Sequence, residues 1–321
     1  MPYNMTMSST LTTDAPRRRR FHRAEPGHPM WITTRDLALL EQVRRHRFLS
    51  STHLVALDGG NASNVLARLR KLFDHGHLAR PPAQLATVPV LGPQPMVYGL
   101  ATAGARLLRE HERQINDGVD WTEKTRRAGA VYIEHTLAVA DFMVNLELAC
   151  RSAGDVEVIQ EREILAAARP HTRAAREPLR WVAEQTIRGK REICSVIPDG
   201  MFGLRFADGT GTFLLLEIDR GTIPIVRRGN THRSIKRKLA TYIEGWRAGR
   251  HLDQFAIQNL RVLMVTSSAA RMDNMLAAVE DITGGKGTGF VLFGHAAALA
   301  GQNPLEFGWT NGRRETVRLT D

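Results

Sequence analysis

Three acidic residues stand near the ends of two apolar segments in residues 198–219, PDGMFGLRFADGTGTFLLLEID. Asp199 precedes the first segment, and Glu217 and Asp219 end the second. An apolar run such as residues 213–216 is typical of a buried strand, where an ionised carboxylate is costly unless something compensates its charge. Solvent, an arginine or a metal ion would each do so, and the chemistry of this segment depends on which is present.

A tight turn brings the three carboxylates together. Residues 208–211 (Asp-Gly-Thr-Gly) predict a hairpin, so the two apolar segments become antiparallel neighbours. Asp199 then lies beside Glu217 and Asp219, which face the same side of the sheet because they are two residues apart. Three close carboxylates raise each other's pKa, and a hard divalent cation such as Mg²⁺ or Mn²⁺ removes that repulsion. We therefore predict a metal site there, with a salt-bridged Asp219-Arg220 turn, capped by Asp199, as the structural alternative.

The elements that follow place these acids in an α/β domain. Residues 231–249 predict an amphipathic helix and residues 260–266 a second buried strand, so the connection is a strand–helix–strand crossover. Lys236 and Lys238 lie in the first turns of this helix, and Tyr242 lies four residues after Lys238. Tyr242 is a candidate nucleophile, although its apolar neighbours favour core packing. Further helices and strands are predicted at residues 131–151, 156–159, 269–282 and 290–293.

Three features of this second half have plain structural interpretations. Residues 169–195 are basic and show no regular period, which favours a mobile loop over a binding surface. Residues 284–287 (Gly-Gly-Lys-Gly) lack the full spacing of a phosphate-binding loop and predict a helix-to-strand turn. His135, near an apolar helix face, is typical of a structural histidine.

The first half has the element order of a winged helix-turn-helix domain. Three short helices with apolar residues at helical spacing are predicted within residues 33–43, 51–57 and 61–73. A break separates the first two at residues 48–50, and Gly76 ends the third. Residues 78–80 and 96–100 predict two strands that pair as a wing, and a last helix begins at Thr102.

The third of these helices is the candidate DNA-recognition helix. Its polar side carries Asn61, Ser63, Asn64, Arg68, Arg70 and Lys71. In such folds the N-terminal residues of this helix reach base edges. Basic residues flank an otherwise uncharged first turn, which favours binding to double-stranded DNA over a winged helix used only for protein contacts.

Charge and composition agree with a nucleic-acid partner. The 321 residues include 44 Lys and Arg against 33 Asp and Glu, a formal net charge of +11 that points to a polyanion. Two cysteines are too few for a disulfide framework or a zinc site, which fits a reducing cytoplasm. No apolar run approaches the roughly 18 residues of a spanning helix, and no secretory signal begins the chain. We expect a cytoplasmic protein with no membrane association.

The chain divides into four segments on these grounds. We expect a disordered basic arm over residues 1–30, a winged-helix DNA-binding domain over 31–112, a charged linker over 113–130 and an α/β domain over 131–321. The arm contains four consecutive arginines, Arg17 to Arg20. It is either a solvated tail or a phosphate-binding arm.

The acidic motif resembles the PD-(D/E)xK restriction-endonuclease-like core. Pro198-Asp199 takes the place of the PD, and Glu217-Ile218-Asp219 that of the (D/E)xK. Asp219 stands where the pattern has lysine, which some members of that superfamily supply from the following helix. Lys238 or Lys236 would do so here. The resemblance implies a mixed-sheet nuclease-like domain after the winged helix.

The chain as a whole resembles the replication-relaxation family over most of residues 33–267. The winged helix, His135 and Asp141 on the joining helix, the PD pair and the ExDRGT stretch at residues 217–222 carry the resemblance. Proteins of this kind occur on bacterial plasmids and integrative elements, and they are similar to plasmid-mobilisation relaxases of the same fold. The resemblance implies metal-dependent nicking of an origin of transfer or replication, or origin binding in plasmid replication and conjugation.

Two hypotheses about function follow. The first is a metal-dependent DNA endonuclease or relaxase, in which Asp199 and Glu217 are ligands and Asp219 is an auxiliary ligand or holds the lysine. Lys238 stabilises charge while metal-activated water attacks a phosphodiester. The second is a non-catalytic replication or transcription regulator whose nuclease-like domain is degenerate or forms a homodimer. The clustered acids favour the first hypothesis, and the missing lysine at position 219 favours the second.

Overall fold

A computed structural model describes residues 20–87, 94–111, 119–187, 189–225 and 234–321. These residues form two compact units, one within Met1–Ser51 and Gly60–Ala130 and the other within Thr52–Gly59 and Val131–Asp321. Most of the predicted basic arm, part of the wing loop and part of the predicted linker lie outside the described residues. Within the described ranges, no helix has both the length and the apolar character needed to cross a membrane.

The N-terminal part of the chain has the predicted winged-helix order. The helices are α1 (Thr34–His46), α2 (Ser51–Asp58), α3 (Ala62–Asp74), α4 (Thr102–Glu110) and α5 (Trp121–Arg126), and a 3₁₀ helix spans Pro82–Thr87. The strands are β1 (Phe48–Ser50), β2 (Leu78–Ala79) and β3 (Val97–Leu100). Strand β3 lies between β1 and β2 and is antiparallel to both. The order α1-β1-α2-α3-β2-β3-α4 therefore confirms the winged helix-turn-helix prediction.

Two details of this part show how local sequence sets the helix limits. Thr33 caps α1 through a reciprocal capping box with Asp36. Helix α3 begins at the cap of Asn61, whose side chain accepts the backbone N–H of Asn64 at 3.2 Å. It ends before Gly76, which has a φ of 80°, a conformation that glycine adopts without strain.

One prediction for this part was incomplete. Residues 48–50 separate α1 from α2 as expected, but they also form strand β1, which pairs with β3. A strand of three residues, all buried, is too short to show the alternation that identifies strands in a sequence.

The second unit is built around a seven-stranded mixed sheet. Its helices are α6 (Ala130–Ala153), α7 (Glu161–Ala167), α8 (Pro170–Ala174), α9 (Ile235–Arg247), α10 (Arg250–Phe255), α11 (Ala269–Ile282) and α12 (Ala296–Leu299). Its strands are β4 (Val156–Gln160), β5 (Trp181–Ile187), β6 (Lys190–Val196), β7 (Gly200–Phe206), β8 (Gly211–Ile218), β9 (Leu260–Thr266), β10 (Val291–His295), β11 (Trp309–Asn311) and β12 (Thr316–Val317).

The order of the large sheet is β12-β11-β10-β9-β8-β7-β4. Strands β8, β9 and β10 are parallel, with α9 connecting β8 to β9, and β7 is antiparallel to β8. This confirms the predicted hairpin, the predicted crossover and the α/β fold class.

Helices cover both faces of the sheet. Phe142 and Leu146 of α6 belong to one core cluster with Leu214 and Leu216 of β8. On the other face, α9 and α11 pack in a second cluster around Leu215. Alternate residues of β8 thus face opposite helices, which fixes the face on which Glu217 lies.

The prediction of a mobile loop over residues 169–195 was wrong. These residues contain α8 and a separate two-stranded sheet, β5 paired antiparallel with β6. The pair packs on α9, because Trp181 donates its indole N–H to the carbonyl of Thr241 at 3.1 Å and Gln185 donates to the hydroxyl of Thr241 at 2.6 Å. Gly284 and Gly285 have positive φ values in the predicted turn after α11.

Candidate functional site

The β7–β8 hairpin places Asp199 beside Glu217. Gly200 pairs with Leu216 in the ladder, and Asp199 donates its backbone N–H to the carbonyl of Leu216 at 2.9 Å. Asp199 precedes Gly200 and Glu217 follows Leu216, so the two carboxylates come together at one end of the hairpin. Their proximity has an electrostatic effect, because the charge of Asp199 contributes to raising the pKa of Glu217.

Glu217 is the most enclosed acid of this site. Only 1% of its surface is exposed. Lys238 and Tyr242, both on α9, donate to its two carboxylate oxygens, and the tyrosine contact measures 2.5 Å. Burial raises the pKa of Glu217 to about 7, against the lowering effect of Lys238. The carboxyl group thus changes its charge near neutral pH.

Asp199 is held from two directions. Its Oδ2 accepts the backbone N–H of Ile218 at 2.8 Å, and its Oδ1 lies 2.9 Å from Nε2 of His135 on α6. The hydrogen bond to Asp199 raises the pKa of His135. His135 is therefore more than a structural histidine on an apolar face, since it contacts one of the predicted site residues.

Asp219 has different partners from the other two acids. Arg271, in the first turn of α11, donates to both carboxylate oxygens of Asp219, and the hydroxyl of Thr266 donates to Oδ2 at 2.8 Å. Arg271 also donates to the carbonyl of Ile223, so it holds the chain that follows β8. Of solvent, an arginine and a metal ion, it is therefore an arginine that compensates the charge of Asp219.

The two lysines predicted as alternatives are separated by the structure. Lys238 contacts Glu217, whereas Lys236 pairs with Asp281. Lysines two residues apart point to different sides of a helix, which explains the difference. Tyr242 has no exposed surface and its pKa is raised well above 10 by burial, so it orients Glu217 and is not an accessible nucleophile.

The carboxylates form a pair and not a ligand triad. Among the residues that the structure describes, no group of three or more histidine, cysteine, aspartate or glutamate side chains is placed to hold a metal ion. Asp199 and Glu217 nevertheless offer neighbouring oxygen donors of the type that Mg²⁺ accepts, and Mg²⁺ is often bound by one or two carboxylates with water completing its shell. The donor set therefore fits a divalent cation through these two residues.

On α3, the predicted DNA-binding residues fall into two groups. Asn61, Ser63, Asn64 and Lys71 are exposed. The two arginines are engaged within the first unit. Arg68 pairs with the buried Asp36, and Arg70 donates to Asp74 at 2.9 Å and to the carbonyl of His22 at 3.1 Å.

The family model described as replication-relaxation matches residues 40–259, which is more than half of the chain. The chain belongs to the replication-relaxation family. No curated protein and no solved structure gave a significant match.

The replication-relaxation match spans α3 of the first unit and Asp199, Glu217 and Lys238 of the second. Membership of this family indicates a role in replication or mobilisation and an interaction with DNA. His135, Asp141 and the stretch that begins at Glu217 also lie within it. Arg271 lies beyond its end, and neither the family match nor local spacing identified it as the partner of Asp219.

Proposed function

We propose that this replication-relaxation protein binds duplex DNA of a bacterial plasmid or integrative element and nicks it in a metal-dependent reaction at the Asp199–Glu217 pair. The winged helix would hold the DNA, in keeping with the net positive charge of the chain. The second unit would carry the phosphodiester chemistry. Such a protein would be a relaxase that acts at an origin of transfer or replication.

One observation supports the nuclease assignment above the others. Lys238, from the helix that follows β8, contacts Glu217, which lies beside Asp199. An Asp, a Glu and a Lys are thereby close together, as a nuclease centre of this type would need, although position 219 lacks the lysine. Three elements, the β7 start, the β8 end and α9, contribute one residue each.

Each residue of this centre has a role that its contacts support. Asp199 and Glu217 would hold the divalent cation, Mg²⁺ or Mn²⁺, which when bound neutralises phosphate charge and activates water. Lys238 would hold a positive charge next to the reacting phosphate. His135 and Tyr242 keep the two carboxylates in position, because each donates to or contacts one of them.

The test is a nicking assay on supercoiled plasmid carrying the cognate mobile element, with Mn²⁺ or Mg²⁺. Wild type should convert supercoiled to nicked plasmid, and Glu217→Gln and Lys238→Ala should each lose this activity while still binding DNA. Their effects should be non-additive, because both residues act on one transition state. Lys236→Ala is the matched control, since Lys236 lies two residues away and pairs with Asp281.

Nicking that persists in Glu217→Gln would contradict the site, and inactivity of Lys236→Ala would show that any lysine of this turn matters.

Asp219→Asn tests the remaining acid. Because Arg271 and Thr266 hold Asp219, this variant should lower the stability of the protein and leave the metal dependence of nicking nearly unchanged.

A DNA-binding regulator without catalysis is the second candidate. Every carboxylate oxygen of Asp199 and Glu217 already has a partner within the chain, as expected of a degenerate centre. Under this candidate, wild type cuts no cognate plasmid in Mn²⁺, and the second unit serves in assembly, for example as a homodimer. Sedimentation of the full chain with and without DNA measures that assembly.

A further inference from the structure

The exposed face of α3 is small and largely uncharged. Ser63, Ala67 and Lys71 follow one another at intervals of four residues and form the centre of this face. Asn64 lies on one side of it, and Leu66, with 45% of its surface exposed, on the other. An exposed leucine on a recognition helix is a candidate contact residue, because a core residue would be buried.

The arginines of the same helix are engaged in contacts within the first unit. Arg68 donates to both oxygens of Asp36, which has no exposed surface, and to the carbonyl of Trp31. Burial opposes ionisation of Asp36, but the hydrogen bonds from Arg68 and Thr33 lower its pKa below the usual range. Removing Arg68 from this pair would leave a buried charge uncompensated, so the arginine is held by the fold and is not available to a base.

Arg70 is likewise occupied, by Asp74 and by the carbonyl of His22. Its guanidinium also lies 5.5 Å from the centre of the Phe73 ring. Arginine is the side chain that most often reads guanine, by donating to its O6 and N7 atoms. At both positions of α3 the arginine is instead held within the unit.

From this face we infer that α3 reads A·T base pairs in the major groove, with Leu66 and Ala67 against thymine methyl groups and Asn64 on an adenine. Apolar side chains contact the thymine 5-methyl group, and asparagine donates to N7 and accepts from N6 of adenine. Lys71 lies in the C-terminal half of the helix and is assigned to phosphate, since base contacts come from the N-terminal half. The inference rests on the proposed duplex binding and names its sequence class.

The test compares duplexes that differ only in the groups α3 would contact. The probes are poly(dA-dT), poly(dG-dC) and poly(dA-dU) of equal length, measured by fluorescence anisotropy with the full chain at one salt concentration. Wild type should prefer poly(dA-dT) to poly(dG-dC) by at least roughly tenfold, as expected for a bidentate base contact. Replacing thymine by uracil should weaken binding roughly three- to fourfold for each thymine methyl group that α3 buries.

Two variants and a matched control assign the effect to residues. Leu66→Ala should bind poly(dA-dT) and poly(dA-dU) more nearly alike, because the leucine side chain no longer covers the methyl group. Asn64→Ala should lose most of the preference for A·T over G·C and keep only the part that the thymine methyl contacts provide, and its backbone N–H to Asn61 remains in place. Leu85→Ala is the control, because Leu85 is equally exposed, at 48%, but lies on the 3₁₀ helix and should keep both preferences.

Equal affinity for all three duplexes would overturn the inference while leaving duplex binding intact. A preference for poly(dG-dC) would also overturn it. No binding to any duplex would overturn the inference and the proposed function together. A thymine-methyl effect that survives in Leu66→Ala but disappears in Leu85→Ala would place the base-reading surface away from α3 and would overturn the inference as well.

Discussion

Glu217 is an ionisable residue that is buried, and its neighbours help to determine its pKa. It lies at the end of a central strand with almost no exposed surface, and its partners are a cation and a hydroxyl from one helix. The raised pKa, about 7, means that the folded protein binds a proton that the unfolded chain releases at lower pH. The charge of this residue is therefore coupled to stability as well as to the proposed chemistry.

The first prediction concerns this coupling. Because the folded pKa of Glu217 lies above its ordinary value of 4.5, its contribution to stability falls as the pH rises from about 4.5 to about 7. Glu217→Gln removes this titration, so the variant should gain stability relative to wild type over that window. The gain at pH 8 over pH 4.5 should be at most about 3 kcal/mol, at about 1.4 kcal/mol for each pKa unit.

Urea denaturation of both proteins at pH 4.5, 6 and 8 measures this difference. The titration of His135, whose pKa is also raised, is present in both proteins and largely cancels in the comparison. Glu244→Gln is a suitable control, because Glu244 is a partly exposed partner of Arg247 on the same helix. A stability difference that does not change with pH would contradict the placement of Glu217.

At this scale the sequence predicted neighbours in a hairpin but not distant partners. The turn at Asp208 and the two-residue period placed Asp199 beside Glu217, because hairpin geometry is local. The partner of Asp219 is Arg271, 52 residues later in the chain, and nothing in the spacing points to it. A partner far away in the sequence, such as Arg271, therefore cannot be predicted from local spacing alone.

Helix α9 is the element on which the second unit depends most. One of its faces supplies Lys238 and Tyr242 to the carboxylates, and another receives the β5–β6 pair. Gly245 allows this second contact, because a Cβ there would collide with Nε1 of Trp181 and lie 2.8 Å from its Cε2. The indole thus packs directly over the helix backbone.

Gly245→Ala should destabilise the protein by about 1–3 kcal/mol through overpacking, in spite of the higher helix propensity of alanine. Combining it with Trp181→Phe, which removes the nearest atom, should destabilise the protein by less than the sum of the two single effects. Gly289→Ala is the control, because no atom lies within 4 Å of a Cβ at Gly289. Thermal unfolding of these proteins measures the coupling, and additive effects would show that the two residues do not meet.

The β5–β6 pair also shows why element prediction failed in one place. Trp181, Ala183 and Gln185 are the buried residues of β5, alternating with less buried ones. The alternation is present, but a small residue and a polar residue occupy buried positions, so hydrophobicity does not reveal it. By contrast, the apolar runs of β8 and β9 and the periodic helices α6, α9 and α11 were predicted, because most of their buried residues are large and apolar.

At the scale of the whole molecule, the net positive charge favours a polyanionic partner such as DNA. The net charge of +11 is spread along the chain, and several cations of α3 and α9 are engaged in ion pairs. Fold class and family were predictable because they rest on element order and on a few spaced residues. Affinity for DNA depends instead on which cations remain available to phosphate, and a sequence does not distinguish those from paired ones.

The last prediction uses salt to count these available cations. Binding of the full chain to duplex DNA should weaken with salt, with log K falling linearly against log salt and a slope of roughly −0.9 for each phosphate neutralised. If the basic arm binds phosphate, replacing Arg17, Arg18 and Arg19 together by glutamine should make the slope shallower by roughly 0.9 for every phosphate that the arm no longer neutralises. Replacing the same three by lysine keeps their charge and should keep the slope. An unchanged slope in the glutamine variant would identify the arm as a solvated tail, and the phosphates would then be bound by the folded residues around Lys71.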